Sequence, residues 1–463
     1  MNLLICLAAL SFLMYVAYRG HSVILFAPIA AMGAVLLTDP SAVPPMFTGL
    51  FMEKMVGFIK NYFPVFLLGA VFGKVIELAG FSKSIVAAVI RVLGRERAML
   101  SIVIVCALLT YGGVSLFIAV FAVYPFAAEM FRQGDIPKRL IPGTIAVGAF
   151  TFTMDSLPGT PQIQNIIPTT FFKTDAYAAP WLGIIGSVFI FVLAMIYLEW
   201  RRRQALASGE GYGSGHTNEP QPVPEEGLVS PWLAIVPLVL VAVLNKVFTN
   251  LVNAGYGKSY EVTMPGLDKP LSVTISSVAA IWAVEGALLI GILAVLVFAF
   301  RTVKERFVEG SKSAIAGALL ASMNTASEYG FGGVIAALPG FIVIRDALGA
   351  IPNPLVNEAV TVTALAGITG SASGGMSIAL AAMADQFMAA ANAAGISPEV
   401  LHRVASMASG GMDTLPHNGA VITVLAVCGL THRQSYKDIF AITCIKTMAV
   451  FLVIGVYYAT GLT

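Results

Sequence analysis

Two short polar motifs that each begin with an acid hold the residues best suited to chemistry. The first reads Asp-Ser-Leu-Pro-Gly-Thr-Pro-Gln-Ile-Gln-Asn from Asp155 to Asn165, and the second reads Asp-Thr-Leu-Pro-His-Asn-Gly from Asp413 to Gly419. An ionisable group inside a membrane segment costs at least about 2.5 to 3.5 kcal/mol, so it indicates a functional site by default. We predict that Asp155, Asp413 or both take up a coupling ion, with His417 as a partner in a proton relay. The alternatives stay open that the acids cap broken helices and that the histidine is an ordinary buried one.

Two further segments combine glycine with hydroxyl side chains: Gly112-Gly113-Val114-Ser115, and the run from Gly370 to Ser377. Glycine and proline interrupt a helix, and the N–H groups at the start of the half-helix that follows attract a carboxylate. Broken backbone of this kind is tolerated in a membrane only where it is buried in protein or lines a cavity. The predicted substrate-binding residues are Gly112, Gly113, Ser115, Ser156, Thr160, Asn165, Ser371, Ser373, Gly375, Ser377, Thr414 and Asn418.

The elements that must position these residues are membrane helices. Hydrophobic residues make up 57% of the 463-residue chain and charged residues only 11%, far from the composition of soluble domains. Apolar runs approach or reach the roughly 20 residues that cross a bilayer. Clear runs are Leu3 to Tyr18, Ser22 to Leu37, Pro180 to Leu198, Trp232 to Val252, Ile275 to Phe300 and Ile439 to Tyr458. We therefore predict an all-α polytopic membrane protein with about 10–14 membrane segments.

The chain is predicted to consist of two related halves. Phe72-Gly73 recurs as Phe331-Gly332, and the two acidic motifs and the two Gly-Gly-x-Ser segments recur in the same order. Duplication of this kind is typical of secondary transporters, in which one repeat is often inserted upside down. We predict inverted repeats over residues 1–200 and 230–463, with re-entrant hairpins and interrupted helices. A Gly- and Pro-rich stretch, 201–229, is predicted to be a flexible cytoplasmic linker.

Basic clusters predict the orientation. The cluster Arg201-Arg202-Arg203 and the group Arg301 to Lys312 lie two crossings apart, so both are expected on the cytoplasmic side, with residues 253–272 outside. The mixed apolar and charged segments Glu53 to Tyr62 and Thr302 to Lys312 are predicted to be helices in the membrane surface, or else ordinary connecting loops.

Several function classes are disfavoured by the sequence. The formal charge of +2 gives no basic field for nucleic acid. The four cysteines lie in apolar segments without paired spacing, so we expect no metal site, and nothing in the sequence requires a cofactor. Motifs of ATPases, zinc proteases and serine hydrolases are missing, and only the pair Asp413 and His417 resembles a catalytic arrangement. We expect no enzyme.

The paired motifs resemble the gluconate permease family of the ion transporter superfamily. The likeness rests on Gly-Gly-x-Ser with Asp-Ser-Leu-Pro-Gly-Thr-Pro-Gln in one half and Gly-Gly-Met-Ser with Asp-Thr-Leu-Pro-His-Asn-Gly in the other. The stretch Met154 to Asn165 is closer to the branch associated with 3-hydroxybutyrate. The resemblance implies a proton-coupled symporter for hydroxy acids, and a homodimer whose transport part moves as an elevator. It also implies hairpin tips near Gly112 to Ser115 and Ser371 to Ser377.

From the residues and the resemblance together we predict proton-coupled symport of a small hydroxy-carboxylate, such as 3-hydroxybutyrate or gluconate. The expected setting is a bacterial inner membrane, crossed many times. The expected partners are the organic anion, a proton, the lipid bilayer and a second copy of the chain. Sodium coupling stays open, since sodium sites use backbone carbonyls and hydroxyls. A passive anion channel is a further alternative.

Overall fold

A computed structural model describes residues 2–19, 21–220, 227–266 and 268–463, and these are overwhelmingly helical. The first half contains α1 (Asn2–Tyr18), α2 (Val23–Thr38), α3 (Val43–Pro45), α4 (Met52–Leu78), α5 (Phe81–Leu93), α6 (Ala98–Tyr111), α7 (Leu116–Gln133), α8 (Ile141–Ala149), α9 (Phe152–Asp155), α10 (Ile163–Phe172) and α11 (Pro180–Ala207). The second half contains α12 (Pro231–Tyr256), α13 (Ala279–Ala337), α14 (Pro339–Gly349), α15 (Pro354–Thr369), α16 (Ala372–Ala393), α17 (Pro398–Ser409), α18 (Gly419–Cys428) and α19 (His432–Thr460). Strands β1 (Ser259–Val262) and β2 (Leu271–Thr274) form one antiparallel hairpin after α12.

The fold is that of an all-α polytopic membrane protein, as predicted. Six helical segments among the described residues are long and apolar enough to cross a membrane, and four shorter apolar helices accompany them. Large apolar side chains point outward, such as Trp232 at 84% exposure and Val297 at 77%, whereas Arg403 is fully buried. Apolar side chains outside and charged ones inside are the distribution expected when lipid surrounds the protein.

The two segments predicted to be surface helices or connecting loops are parts of longer helices, so they are not loops, and their place at the membrane surface stays a prediction. Residues 53–62 belong to α4, and residues 302–312 belong to α13. The non-helical backbone at Ala299 (φ −133°, ψ 28°) divides α13 into an apolar first part and a longer second part. The charged residues of both segments continue long helices, because the apolar residues that follow give each helix a buried face.

An antiparallel pair of equivalent helices relates the two repeats. The backbone of Gly333 in α13 faces Lys54 near the start of α4, and that of Gly310 faces Leu78 at its end. The second part of α13 is the repeat equivalent of α4, since Phe331-Gly332 matches Phe72-Gly73. A two-fold axis that relates antiparallel helices must be perpendicular to them, so for membrane helices it lies in the membrane plane. The repeats are therefore inverted, as predicted.

Each repeat ends with the same series of elements. In the first, the hairpin α6–α7 precedes α8 and α9, a break, α10 and the long α11. In the second, the hairpin α15–α16 precedes α17, a break, α18 and the long α19. Asp155 is the last residue of α9, directly before the first break, and Asp413 lies inside the second break.

The stretch predicted as a flexible linker is partly fixed to the protein. Helix α11 continues to Ala207, and residues 208–220 lie against the loop that follows α7. Glu210 Oε1 accepts from Arg139 Nε at 2.6 Å, and Glu219 Oε1 accepts from Lys138 Nζ at 2.7 Å. The hydrogen bond from Arg139 lowers the pKa of Glu210, so the ion pair is present at neutral pH. Residues 221–226 of this stretch lie outside the described part of the chain.

Candidate functional site

Two helical hairpins approach the centre of the protein by their tips. In the first repeat the turn comprises Gly112 to Ser115 between α6 and α7, and Gly113 has a φ of +94° that favours glycine. In the second repeat the turn is shorter, Gly370 and Ser371, and Gly370 has a φ of +64°. The second tip therefore lies at the start of the predicted run from Ser371 to Ser377.

The two Gly-Gly-x-Ser segments differ in conformation. Gly73 of α4 packs on Ile118 of α7, and its repeat equivalent Gly332 packs on Ile378 of α16. The first segment, Gly112 to Ser115, forms the turn between α6 and α7. The second segment, Gly374 to Ser377, is already helical near the start of α16. Helix α16 thus begins about one turn earlier than α7, and the two hairpin tips are not identical.

The breaks after α9 and α17 bring two further half-helices to the tips. Pro158, Gly159 and Pro161 interrupt the first repeat, and Pro416 interrupts the second. The residues directly before α10 and α18 form hydrogen bonds between the breaks and the hairpins. Gln162 Nε2 donates to Thr110 O at 2.7 Å, and Asn418 Nδ2 donates to Gly370 O at 2.8 Å. The two repeats thus use the same contact.

A cavity of about 1120 Å³ lies between the tips and the breaks. Eight residues predicted for substrate or ion binding line it: Gly113, Ser115, Ser371, Ser373, Asp413, Thr414, His417 and Asn418. Its wall also contains Gln162, Gln164, Asn324, Thr325 and Glu328. The paired side chains Lys74 and Glu77, with Nζ and Oε1 at 2.9 Å, belong to the same wall. The sequence motifs of both repeats therefore meet around one space.

Four predicted binding residues of the first repeat are not part of this wall. Gly112 packs under Leu238 of α12, where a Cβ would collide with the leucine. Ser156 Oγ donates to Asp155 Oδ1 at 2.7 Å, and Thr160 Oγ1 donates to Thr153 O at 2.7 Å. Asn165 Nδ2 donates to Thr160 O and to Ala176 O. These side chains hold the broken backbone of the first repeat together.

In the second repeat, Gly375 and Ser377 lie behind the tip. Gly375 lets α16 approach α15 closely, because a Cβ there would collide with the backbone of Ala366. Ser377 is fully buried in α16. Gly375 packs the two arms of the hairpin together, and neither residue lines the cavity.

The two predicted acids meet at a buried lysine. Asp413 Oδ1 lies 3.0 Å from Lys446 Nζ, which also donates to Phe150 O at 2.7 Å. Asp155 lies near the same lysine, because a Cβ added at Gly410 would collide with both Asp155 Oδ2 and Lys446 Nζ. Asp413 lines the cavity, whereas Asp155 lies behind it. Lys446 thus lies near two acids that come from equivalent places in the repeats.

Sequence reasoning missed Lys446, although a lone lysine in the apolar run Ile439 to Tyr458 was a detectable signal. It also missed Arg403 in α17. The Arg403 guanidinium is fully buried and donates to Ala178 O, Asp155 O and Asn165 Oδ1 at 2.8–3.2 Å. The neighbouring His402 contacts Asn165 Oδ1 at 3.2 Å. Since α17 belongs to the second repeat, these contacts join it to the break of the first.

Two buried glutamates differ in position. Glu328 of α13 is 3% exposed, lines the cavity and has no hydrogen-bond partner at Oε2. Glu358 of α15 is fully buried away from the cavity, and neither carboxylate oxygen has a partner among the described residues. No group of three or more His, Cys, Asp or Glu side chains in the described ranges is arranged to hold a metal ion.

Comparison with known proteins gives one relative of high identity. The chain is 61% identical over 472 residues to YxjC of Bacillus subtilis (strain 168), described as an uncharacterized transporter, and the alignment covers 100% of both chains. No protein-family model matches the chain.

Two solved structures share the fold. The YdaH transporter of Alcanivorax borkumensis has a TM-score of 0.51 and 17% identity over 92% of this chain and 90% of that one. MtrF of Neisseria gonorrhoeae, described with a class of antimetabolite efflux pumps, has a TM-score of 0.54 and 14% identity over 90% of this chain and 84% of that one. At such identities the likeness concerns the fold alone.

Proposed function

We propose that this chain, which belongs to the same family of membrane transporters as YxjC, carries a small hydroxy-carboxylate across the inner membrane together with a proton. The substrate class that we favour includes 3-hydroxybutyrate and gluconate, because the paired motifs resemble those of gluconate permeases. Sodium in place of the proton is the alternative form of coupling. A homodimer and an elevator movement are part of the proposal on the same resemblance.

The observation that carries the proposal is the convergence of four helix amino ends on one cavity. Ser115, Gln162, Ser371 and Asn418 each precede the first residue of a helix, and all four line the cavity. The helices that they begin have 18, 10, 22 and 10 residues. Each amino end attracts a negative charge by about 0.3–2 kcal/mol, so their sum favours an organic anion over a cation or a neutral solute.

The dimensions of the cavity suit a small substrate with some water. Small-molecule sites usually occupy about 300–1,000 Å³, and this cavity of about 1120 Å³ lies just above that range. The hydroxyl groups of Ser115, Ser371 and Thr414 on its wall are donors for a carboxylate and acceptors for a substrate hydroxyl. An anion held in this way needs no lysine of its own.

For the coupling ion we propose a proton exchanged with the cavity through Asp413 and His417, with Asp155 behind them. Asp413 is the member of the buried acid–lysine cluster that lines the cavity, and His417 lies beside it in the same break. A buried carboxylate that gains or loses its charge changes the balance of a cluster that spans both repeats. This offers a route from proton binding to movement.

The proposal is tested by transport in proteoliposomes. Radiolabelled 3-hydroxybutyrate, gluconate, lactate and citrate are offered with and without an imposed pH gradient, with and without sodium, and beside protein-free liposomes. We expect a hydroxy-carboxylate to accumulate with the pH gradient and the accumulation to collapse with a protonophore. Dependence on sodium alone would replace the proton, equilibration without accumulation would indicate a channel, and no movement of any of these anions would refute the substrate class.

A further inference from the structure

Glu328 lies at the amino end of α16, where a substrate carboxylate is proposed to bind. Its Oε2 contacts the backbone of Gly374 so closely that a Cβ on this glycine would collide with the carboxylate. The hydroxyl of Ser371, which precedes α16, is beside the carboxylate as well. One turn before Glu328, Thr325 Oγ1 is 3.2 Å from Ser373 Oγ in the same opening turn of α16. A protein carboxylate therefore already occupies one of the four amino ends.

The Glu328 carboxylate is shielded from water, but its hydrogen bonds are incomplete. Glu328 is 3% exposed, and Oε2 has no hydrogen-bond partner among the described residues. A buried carboxylate oxygen without a partner is costly, and the cost falls when the group takes up a proton. The helix dipole of α16 compensates the charge in part.

The first repeat has no acid at the equivalent place. The repeat equivalent of Glu328 is Gly69 of α4, since Phe331 matches Phe72, and an added Cβ at Gly69 meets no atom within 4 Å. The carboxylate is thus not required by the inverted-repeat architecture. It is a property of the second hairpin alone.

Among the described residues, the cavity wall carries five other charged or titratable side chains. Helix α4 contributes Lys74 and Glu77, which pair with each other, and the loop between α1 and α2 contributes His21. The break before α18 contributes Asp413, which pairs with Lys446, and His417. Of the acids on the wall, Glu328 is the one for which no ion pair is found in the described residues.

We infer that Glu328 is a tethered anion that occupies the substrate's carboxylate position at α16 until it takes up a proton. The inference rests on the proposed transport of a carboxylate and deepens its coupling: the one proton that is exchanged through Asp413 and His417 resides on Glu328 during transport, and all three residues line the same cavity. Charged Glu328 repels the substrate anion and occupies the space beside Gly374 at the positive end of the α16 dipole. Protonated Glu328 loses both effects, so proton and anion enter the site together. One proton and one monocarboxylate then cross as a neutral pair, which couples the two without a direct contact between them.

The test compares Glu328→Gln with Glu305→Gln in proteoliposomes. The amide keeps the shape of the protonated acid, so Glu328→Gln should lose accumulation driven by the pH gradient but keep exchange of labelled for unlabelled substrate. Its KM for exchange should not change with pH. In the wild type, KM should rise with pH and approach tenfold per pH unit, because one proton must bind with each anion. Glu305→Gln, which removes an exposed acid of the same helix away from the cavity wall, should behave as the wild type does.

The outcomes separate this inference from the proposed function. A wild type that moves no carboxylate refutes the proposed function. A wild type that accumulates substrate, beside Glu328→Gln with the same accumulation and the same pH dependence, refutes the role of Glu328 alone. If Glu328→Gln does not elute as a folded protein, proton uptake on substrate binding is measured on the purified wild type and on Glu328→Asp. Equal uptake at every pH in the two proteins would refute the inference, and a shifted pH profile in the aspartate variant would support it.

Discussion

The buried pair of Lys446 and Asp413 offers the sharpest test of the packing between the repeats. Nζ and Oδ1 are 3.0 Å apart, and the two side chains are only 2% and 5% exposed. Breaking a buried ion pair by removing one partner costs about 3–5 kcal/mol, because the remaining charge is left without compensation. Asp413→Asn should lower the free energy of unfolding by an amount at the low end of this range, since Asp155 remains near the lysine. Lys446→Met should lower it by an amount at the high end, since two acids are left without a cation.

The double variant decides whether the pair acts as a unit. In Asp413→Asn/Lys446→Met neither member of the pair is left alone and only Asp155 loses its cation, so the loss in free energy of unfolding should be smaller than the sum of the single losses by about 2–3 kcal/mol. The matched control is the pair Lys74 and Glu77, which has a similar distance of 2.9 Å but side-chain exposures of 22% and 42%. An exposed pair is worth less than about 1 kcal/mol, so Lys74→Met/Glu77→Gln should show little interaction energy.

The assay is unfolding by denaturant in mixed micelles, followed by the fluorescence of the tryptophans. Additive losses in the Asp413 and Lys446 series would refute the reasoning, because they would mean that the two charges do not depend on each other. The same variants then allow transport to be interpreted. Loss of proton-driven accumulation in Asp413→Asn counts toward a coupling role only if the variant remains folded under the conditions of the assay.

Three further predictions concern the second hairpin, the contacts of Arg403 between the repeats, and residues 208–220 on the surface. Gly375→Ala should destabilise the second hairpin and abolish transport, because the new Cβ collides with α15. The control Gly455→Ala, with no atom within 4 Å of the new Cβ, should change stability and transport little. Arg403→Lys should lower the thermal stability by more than about 2 kcal/mol at the unfolding midpoint, because an ammonium cannot reproduce the fork of hydrogen bonds, and an unchanged midpoint would contradict this role. Burial raises the pKa of Glu219, but hydrogen bonds from Lys138 and Arg132 outweigh it, so the pKa is lowered, as is that of Glu210. The stabilisation that these two ionised acids contribute is therefore complete above their unfolded pKa of about 4.3 and is lost as pH falls through their lowered folded-state pKa values. Proteolysis within residues 208–220 should be slow at pH 7 and faster only in strong acid.

The duplicated motifs predicted the centre of the fold well, because glycine and proline act locally on the backbone. The breaks after Asp155 and before Asn418 occur where proline interrupts a helical pattern, and the first tip lies at Gly113 as its composition indicated. The antiparallel contact of Gly333 with Lys54 also follows from the repeats, once their inverted insertion is accepted.

Contacts between distant segments could not be read from local pattern. Arg403 lies in a helix whose sequence does not reveal that its guanidinium caps carbonyls of the other repeat. Lys446 was visible as a charge in an apolar run, but its two acidic neighbours come from places far apart in the chain. Ser377 and Gly375 match the first motif in type, yet α16 begins earlier, so both are buried in the helix behind the tip and neither lines the cavity.

The stretch after α11 shows a second limit of composition. Glycine and proline there indicated flexibility, but Glu210 and Glu219 find basic partners on the protein surface, and Tyr212 is buried. The hairpin of β1 and β2 was not predicted, since its strands Ser259–Val262 and Leu271–Thr274 are short and exposed and carry little hydrophobic pattern.

The measurement that bears most directly on the account is an electron cryomicroscopy map of the protein in lipid nanodiscs with 3-hydroxybutyrate at saturating concentration and low pH. The account predicts density for the carboxylate among Ser115, Ser371 and Asn418, against the amino ends of their helices. Binding of the anion to the protein with density at another place, and none in this cavity, would contradict it.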